Sequence, residues 1–139
     1  MIRPIAICVI RKGDEILVFE ARDSVKKETF YRPLGGGINF GEHSMETVTR
    51  EMIEEIGAQI SPPRHLGILE SVFVLNGVPR HELVQVYEAS LVDKTLYQAA
   101  GFTVREEDGT TLPAMWKSLR DFRTGAAILY PNGLLDLLG

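Results

Sequence analysis

The segment REMIEEIG, residues 50–57, constrains the chain more than any other, because it places three glutamates within two helical turns. At about 100° per residue, Glu51, Glu54 and Glu55 lie within an arc of about 100° on one face of a helix. Like charges three or four residues apart destabilise a helix by about 0.2–0.5 kcal/mol per pair. The segment is therefore either a solvated acidic face or a site for a hard divalent cation, which prefers several carboxylate oxygens.

The residues around this segment predict a helix over 44–56. Ser44 is the expected N-cap, and Glu46 in the first turn complements the helix dipole. Glu46 and Arg50 are spaced to form a favourable i,i+4 ion pair. Gly57 is expected to end the helix in the left-handed conformation that glycine adopts without strain.

Apolar segments rich in Ile and Val predict four strands. Strands near 4–11 and 15–21 form a hairpin across a Gly-Asp turn, and the polar segment 22–32 is expected to be a loop. Two further strands, within 65–75 and 81–92, are separated by a segment with an Asn-Gly turn signal.

The C-terminal part of the chain is less regular. Residues 94–113 show no clear periodicity, whereas 114–119 predict a short strand that leads into a helical turn. Residues 130–139 predict a C-terminal helix with inward-facing leucines, namely Leu134, Leu135, Leu137 and Leu138. Since strands outnumber helices and two helices are amphipathic, we expect an α+β fold with a mixed sheet packed between helices, as one domain over 1–139.

Composition narrows the possible partners and compartments. A chain of 139 residues with a net charge of -4 is long enough for one real core and is unsuited to a large nucleic-acid interface. The single cysteine, Cys8, lies in an apolar run and is expected to be a buried hydrophobe, which suits a reducing compartment. No segment has the apolar length of a membrane span or a signal-peptide pattern. We therefore expect a cytoplasmic protein without membrane or nucleic-acid partners.

A glycine-rich segment, PLGGGINFGE at 33–42, leads into the acidic helix. Neither a P-loop nor a dinucleotide-binding fingerprint is present, because no Gly-Lys-Ser/Thr follows and the helix is acidic where phosphate would need donors. The acidity means that a phosphate could approach this helix only through a cation.

The spacing of these residues is specific. The pattern reads Gly36, five residues, Glu42, seven residues, then Arg50, Glu51, Met52, Ile53, Glu54, Glu55, Ile56, Gly57 and Ala58. It resembles the Nudix box, and every fixed glycine or charged position matches. Of the two bulky aliphatic positions, Met52 is acceptable and Ala58 is smaller than usual. The N-terminal hairpin, Pro33 before the glycines, the late Trp116 and the C-terminal helix also resemble this family.

The resemblance to Nudix hydrolases implies an α/β/α sandwich with a catalytic loop–helix–loop. It implies metal-dependent hydrolysis of a pyrophosphate bond in a nucleoside diphosphate linked to a group X, by metal-activated water. The metal is expected to be Mg²⁺, with Mn²⁺ as a substitute. The implied ligands are Glu51, Glu54, Glu55 and the carbonyl of Gly35, while Arg50 braces a carboxylate with Glu42 as support.

The general base is left open. Within the box, Glu54 is the first choice, although it could serve only as a ligand. Glu106 and Glu107 lie where several relatives place a loop glutamate, but they could equally form a solvated hairpin tip. Glu82 and Glu88 are six residues apart on one strand, so alternation puts them on the same face.

The sequence also offers candidates for contacts with the substrate. Arg32 could bind a phosphate bidentately or form a structural salt bridge. Gly36 and Gly37 are the backbone positions expected to approach the substrate. Weaker phosphate candidates are Arg22, Lys26, Lys27, Arg80 and Arg105. Three histidines, His43, His65 and His81, are expected to be structural or on the surface, and Tyr31 and Phe40 could stack on a base or plug the edge of the core.

Three functions are compatible with the fold. The first is a pyrophosphohydrolase acting on a nucleoside triphosphate, a dinucleoside polyphosphate or a nucleotide sugar. The second is a catalytically silent sensor, but such modules usually lose the box glutamates that this chain keeps. The third is an isoprenoid diphosphate isomerase, which would need a longer chain and a cysteine in the site, where Cys8 is poorly placed. A small nucleotide is the expected ligand, and a homodimer is left open.

Overall fold

A computed structural model describes residues 1–139 and contains eight strands and three α-helices. The elements are β1 (Ile2–Lys12), β2 (Glu15–Asp23), β3 (Glu28–Arg32), β4 (Leu34–Gly37), α1 (Ser44–Ile56), β5 (Arg64–Leu75), β6 (Val78–Ala89), a 3-10 helix (Lys94–Gln98), β7 (Phe102–Arg105), β8 (Thr111–Ser118), α2 (Leu119–Arg123) and α3 (Leu134–Leu138).

The strands form one mixed sheet in the order β5-β6-β1-β2-β8-β7, with β3 added to β2 and β4 added to β1. β1 pairs in parallel with β6, whereas its pairings with β2 and β4 are antiparallel. The run Ile5–Ile10 of β1 is buried throughout, which is typical of a strand covered on both faces. β1 thus carries the glycine-rich β4 on one side and the long β6 on the other.

Two hydrophobic clusters lie on opposite faces of the sheet. Alternate residues of β1, such as Ala6 and Cys8, pack against Met52 of α1. The intervening residues of β1, such as Ile7, belong to a second cluster that includes Phe122 of α2 and residues of α3. Helices therefore cover both faces, and the predicted α/β/α sandwich with a mixed sheet is confirmed.

Helix α1 begins differently from the prediction. His43 is the N-cap, and the carboxylate of Glu46 accepts the His43 N–H at 3.0 Å. Ser44 is already in the helix, with its hydroxyl 2.6 Å from that of Tyr87, so the prediction of Ser44 as N-cap is wrong. The predicted pair between Glu46 and Arg50 is also absent, because Glu46 reaches back to the helix start. Gly57 ends the helix at φ 67°, as predicted.

The predicted loop over 22–32 is partly wrong, because its second half forms β3, which pairs antiparallel with β2. Only Phe30 of β3 is fully buried, so this polar edge strand shows little hydrophobic periodicity. The strand predicted at 114–119 begins earlier, at Thr111, and leads into α2 as expected. Leu134 and Leu138 of α3 are buried, with Leu135 and Leu137 packed against the same cluster, which confirms the predicted C-terminal helix. The model contains no helix of the length and apolar character that a membrane crossing requires.

The thiol of Cys8 is fully buried in the cluster beneath α1. Burial, reinforced by the negative charge of Glu88, raises the pKa of this thiol to about 12. Cys8 is therefore a neutral core residue, as the sequence predicted, and takes no part in the site described below.

Candidate active site

A cleft of about 780 Å³ lies between β4, α1, β6 and the turn that joins β7 to β8. Seven carboxylates line it, namely Glu51, Glu54, Glu55, Glu82, Glu106, Glu107 and Asp108. Four arginines line it as well, namely Arg3, Arg32, Arg80 and Arg105. With all of these groups ionised the lining has a formal charge of -3, from seven negative and four positive side chains. A polyanion would therefore need a cation to approach the acidic part.

The glycines of β4 let the helix approach the sheet at this cleft. A Cβ at Gly36 would lie 2.6 Å from the carboxyl carbon of Glu51, so the glycine leaves the space that this carboxylate occupies. A Cβ at Gly35 would lie 2.7 Å from the Cα of Ile7 in the neighbouring strand. The N–H of Gly35 donates to Glu55 at 2.9 Å, which fixes one end of that side chain.

Arg50 connects the charged groups of the box. Its guanidinium donates to Glu42 at 2.8 and 3.0 Å, to Glu51 at 2.7 Å and to Glu54 at 3.1 Å. A further bond at 3.1 Å reaches the carbonyl of Gly37. Arg50 does not line the cleft, so it acts by positioning the carboxylates and by offsetting part of their repulsion.

Glu42 is held in its charged form by this network. Hydrogen bonds from Arg50 and then from Thr47 lower the pKa of Glu42 to about 2, assisted by the N–H of Asn39. The loop that precedes α1 is thereby tied to the helix through one carboxylate.

Glu51 and Glu55 are buried on the face of α1 that meets β4. Burial, followed by the negative charges of Glu51 and Glu106, raises the pKa of Glu55 to about 9. Burial also raises the pKa of Glu51, although Arg50 opposes this shift. Two buried carboxylates that face the same cleft are an environment in which added positive charge is stabilising.

The two glutamates of the turn between β7 and β8 both line the cleft, with Glu106 half-buried and Glu107 exposed. Burial, followed by the charges of Asp108 and Glu107, raises the pKa of Glu106. The N–H of Glu106 donates to the Thr110 carbonyl at 2.8 Å, which closes the turn. These residues therefore line the cleft and also form the tip of the β7–β8 hairpin, where Glu107 is exposed to solvent, so a catalytic role for either stays a prediction.

Glu82 and Glu88 are separated by the length of their strand. Glu82 lines the cleft and pairs with Arg32 at 3.1 Å. Glu88 lies on the same face but about 20 Å along β6, given about 3.3 Å per residue, and pairs with Arg11 at 3.2 Å. Glu88 is therefore outside the cleft and cannot serve as its base.

Arg32 forms the predicted salt bridge, with Glu82, and also lines the cleft, so its contact with phosphate stays a prediction. Arg80 and Arg105, weaker candidates from sequence, also line the cleft. Arg3 was missed, because only the parallel pairing of β1 with β6 brings it next to Glu82. Asp108 was missed for a similar reason, since its place depends on how the turn folds over α1.

Several other candidates do not line the cleft. They are Arg22, Lys26, Lys27, His43, His65, His81, Tyr31 and Phe40. The ammonium of Lys26 donates to the carbonyl of Val74 at 2.9 Å, and the ring of Tyr31 packs against Phe122. His43 caps α1, whereas His65 and His81 form hydrogen bonds with side chains of the sheet. All three are therefore structural or on the surface, as predicted.

The carboxylates are not assembled into a ready-made metal cage, since no three Asp, Glu, His or Cys side chains converge in that way. Glu51 and Glu54 are turned toward Arg50, and Glu55 is turned toward the Gly35 N–H. The donor set nevertheless fits a hard divalent cation, because all donors are oxygens and the two buried carboxylates lack full compensation.

Comparisons with known proteins agree with this geometry. The family model described as the NUDIX domain matches residues 1–129. A NUDIX hydrolase from Nitrosomonas europaea superposes with a TM-score of 0.69 at 18% identity, covering 99% of this chain and 86% of that one. A MutT NUDIX hydrolase from Burkholderia pseudomallei gives 0.62 at 22% identity, covering 86% and 85%. The E. coli ORF135 protein gives 0.59 at 15% identity, covering 99% and 86%.

Proposed function

The chain belongs to the NUDIX family, and from this premise we propose that it is a divalent-metal-dependent pyrophosphohydrolase acting on a nucleoside diphosphate linked to a second group X. The observation that carries the proposal is the pair of buried carboxylates, Glu51 and Glu55, facing a cleft that also holds arginines. The carboxylates of the cleft alone would repel a pyrophosphate. Together with a bound cation and the arginines, they can bind a pyrophosphate.

The proposed metal ligands are Glu51, Glu54, Glu55 and the carbonyl of Gly35, with Mg²⁺ as the expected ion and Mn²⁺ as a substitute. A bound divalent cation supplies water activation and neutralisation of phosphate charge. Arg50 keeps two of the carboxylates on the cleft side of α1 through its bonds at 2.7 and 3.1 Å.

The proton released by the attacking water passes to a carboxylate at the cleft. Glu54 and Glu107 are the proposed acceptors, because both line the cleft and both are exposed enough to reach a water molecule. Glu106 is half-buried and is a weaker candidate, and Glu82 is weaker again because it is already paired with Arg32.

The substrate phosphates are proposed to contact Arg32 and the backbone of Gly36 and Gly37. Arg32 uses only one guanidinium nitrogen for Glu82, so other donors stay free for a phosphate oxygen. Gly36 lines the cleft, and the Cβ position of Gly37 lies 3.2 Å from the guanidinium of Arg3, so a phosphate at β4 would also lie near that cation. The buried thiol of Cys8 suits a reducing environment, so the cytoplasm is the proposed compartment.

The decisive experiment is a substrate panel with Mg²⁺, scored by phosphate release with and without added pyrophosphatase. The panel contains a nucleoside triphosphate, a dinucleoside polyphosphate and a nucleotide sugar. Glu54→Gln serves as the test variant and Glu70→Gln as its control, because Glu70 is exposed on β5 outside the cleft. Turnover that is lost in chelator and in Glu54→Gln but kept in Glu70→Gln supports the proposal. Absence of turnover of every compound with Mg²⁺ and with Mn²⁺ would overturn it in favour of a nucleotide sensor.

A further inference from the structure

Three arginines line the cleft on the side of Glu82, but only Arg32 is paired with this carboxylate. Arg3 is the register partner of Glu82 across the parallel pairing of β1 and β6, and adjacent strands lie about 4.8 Å apart. Arg80 precedes Glu82 by two residues and therefore lies on the same face of β6. Arg32 already takes the carboxylate at 3.1 Å. This end of the cleft is therefore left with two uncompensated positive charges.

Neither Arg3 nor Arg80 has a hydrogen bond or ion pair to any protein group, and the same holds for Arg105 near the cleft mouth. Acidic residues are not lacking in the cleft, because Glu106, Glu107 and Asp108 line it too. The positive field of Arg3 and Arg32 nevertheless reaches Glu106, where it partly opposes the rise in pKa caused by burial. The arginines are thus directed at the cleft without being paired inside it.

We propose that Arg3 and Arg80 form a second anionic subsite that binds phosphate groups of X, so that the preferred substrate has an X with its own negative charge, as in a nucleoside triphosphate. This inference rests on the proposed function and names its substrate class. A nucleotide sugar, whose X is uncharged, would leave the two guanidinium groups without a partner. Guanidinium groups match phosphate oxygens well, because they donate in a rigid fork.

The distance between the two ends of the cleft fits this assignment. Arg32 and Gly35 are three residues apart in extended chain, so their backbones are separated by at most roughly 10 Å. Arg32 is therefore near a substrate bound at the acidic end, and Arg3 and Arg80 line the same cleft.

The apolar lining of the cleft also supports recognition of phosphate groups. It consists of Ile5, Ile7, Phe19 and Leu75, of which only Phe19 is aromatic. Ile5 and Ile7 are themselves buried in the core. The cleft offers little surface for stacking a base, so we expect phosphate number to matter more than the identity of the base.

The test compares uridine triphosphate with uridine diphosphate glucose, which share base and ribose. The variants are Arg3→Gln, Arg80→Gln and the double variant, with Arg120→Gln as control because Arg120 is an exposed arginine on α2 outside the cleft. We expect the wild type to prefer the triphosphate. Each cleft variant should lower kcat/KM on the triphosphate about tenfold, mainly through KM, as expected for loss of a charge-assisted hydrogen bond. Turnover of the sugar nucleotide should change less than about threefold, and Arg120→Gln should match the wild type.

A binding measurement separates this inference from the proposed function. The dissociation constant of a methylene-bridged uridine triphosphate analogue, measured calorimetrically with Mg²⁺, should rise about tenfold in each cleft variant and stay unchanged in Arg120→Gln. If the wild type hydrolyses neither compound, the analogue still decides whether the arginines bind phosphate, and the full substrate panel decides the proposed function separately. Equal losses on both substrates, a wild-type preference for the sugar nucleotide, or unchanged analogue binding would each overturn the subsite. Thermal melts of all variants exclude misfolding as the cause.

Discussion

Gly36 faces Glu51 so closely that a methyl group on the glycine would lie 2.7 and 2.8 Å from the two carboxylate oxygens. β4 and α1 therefore approach each other so closely at Gly36 that the carboxylate of Glu51 occupies the space of a side chain at this position. Any side chain at position 36 must displace Glu51 from its bond to Arg50.

Gly36→Ala is accordingly expected to reduce kcat by at least about tenfold, since misplacing a catalytic group by about 1 Å can cost a factor of a hundred. Gly67→Ala is the matched control, because its methyl group would press on Leu137 at 3.1 Å in the opposite core. We expect Gly67→Ala to lower the melting temperature while leaving kcat unchanged. Equal kcat values for Gly36→Ala and the wild type would show that the position of Glu51 is not critical.

Removal of metal is expected to destabilise the folded protein. Glu51 and Glu55 are buried carboxyl groups facing one cleft, and a bound cation stabilises their charged forms, so Mg²⁺ should raise the melting temperature relative to chelator. The gain in free energy of unfolding is about 2.7 kcal/mol at a hundredfold excess over Kd. Sodium chloride at equal ionic strength controls for general screening.

Glu55→Gln should be neutral or stabilising in chelator, because the amide oxygen can still accept the Gly35 N–H and burial, which raises the pKa of Glu55 to about 9, already disfavours the charged carboxylate. The same variant should lose most of the Mg²⁺ response and at least about a hundredfold in turnover, since it removes a charged ligand. A wild-type response no larger in magnesium than in sodium would contradict the metal site.

The turn between β7 and β8 supplies the second test of the chemistry. Glu106→Gln and Glu107→Gln, made separately, should show at most one strong effect on kcat, and Glu107 is the expected one. Glu88→Gln is the control, because Glu88 lies on β6 far from the cleft and pairs with Arg11. If both turn variants keep kcat within about threefold of the wild type, the base is Glu54 or Glu82.

The parts of the site that could be read from sequence are those encoded locally. The spacing from Gly36 to Gly57 places the carboxylates on one face of a helix by the geometry of the helix alone. The brace by Arg50 also lies within this segment, where it contacts Glu42, Glu51 and Glu54. No knowledge of the rest of the fold is needed for either feature.

The parts that could not be predicted depend on pairing between distant segments. Arg3 reaches the cleft only because β1 pairs in parallel with β6, which joins residues about 80 positions apart. β3 lacks a hydrophobic pattern because its polar residues are half-buried and become a strand only by pairing with β2. The error at Ser44 has another cause. His43 and Ser44 are adjacent candidates for the N-cap of α1, and the hydroxyl of Ser44 contacts that of Tyr87 instead of capping the helix.

Asp23 carries the last prediction, which concerns stability and acid. Its side chain accepts the N–H groups of Val25 and Lys26 at 2.9 Å and that of Asn76 at 3.2 Å, so one carboxylate joins the turn after β2 to the turn between β5 and β6. The N–H of Lys26, followed by those of Asn76 and Val25, lowers the pKa of Asp23 below its usual value of 3.8.

A carboxylate with a lowered pKa in the folded state stabilises the protein above its unfolded pKa, and this contribution is lost as pH falls through the folded pKa. Asp23→Asn lacks the contribution at every pH, because its amide nitrogen cannot accept the Asn76 N–H. The melting temperatures of wild type and variant should therefore differ by a constant amount above about pH 5, and the gap should close as pH drops below 3.8. Asp136→Asn, at an exposed position on α3, should show no such gap. A difference between wild type and Asp23→Asn that stays constant down to the acid unfolding transition would mean that the charge of Asp23 does not hold the two turns together.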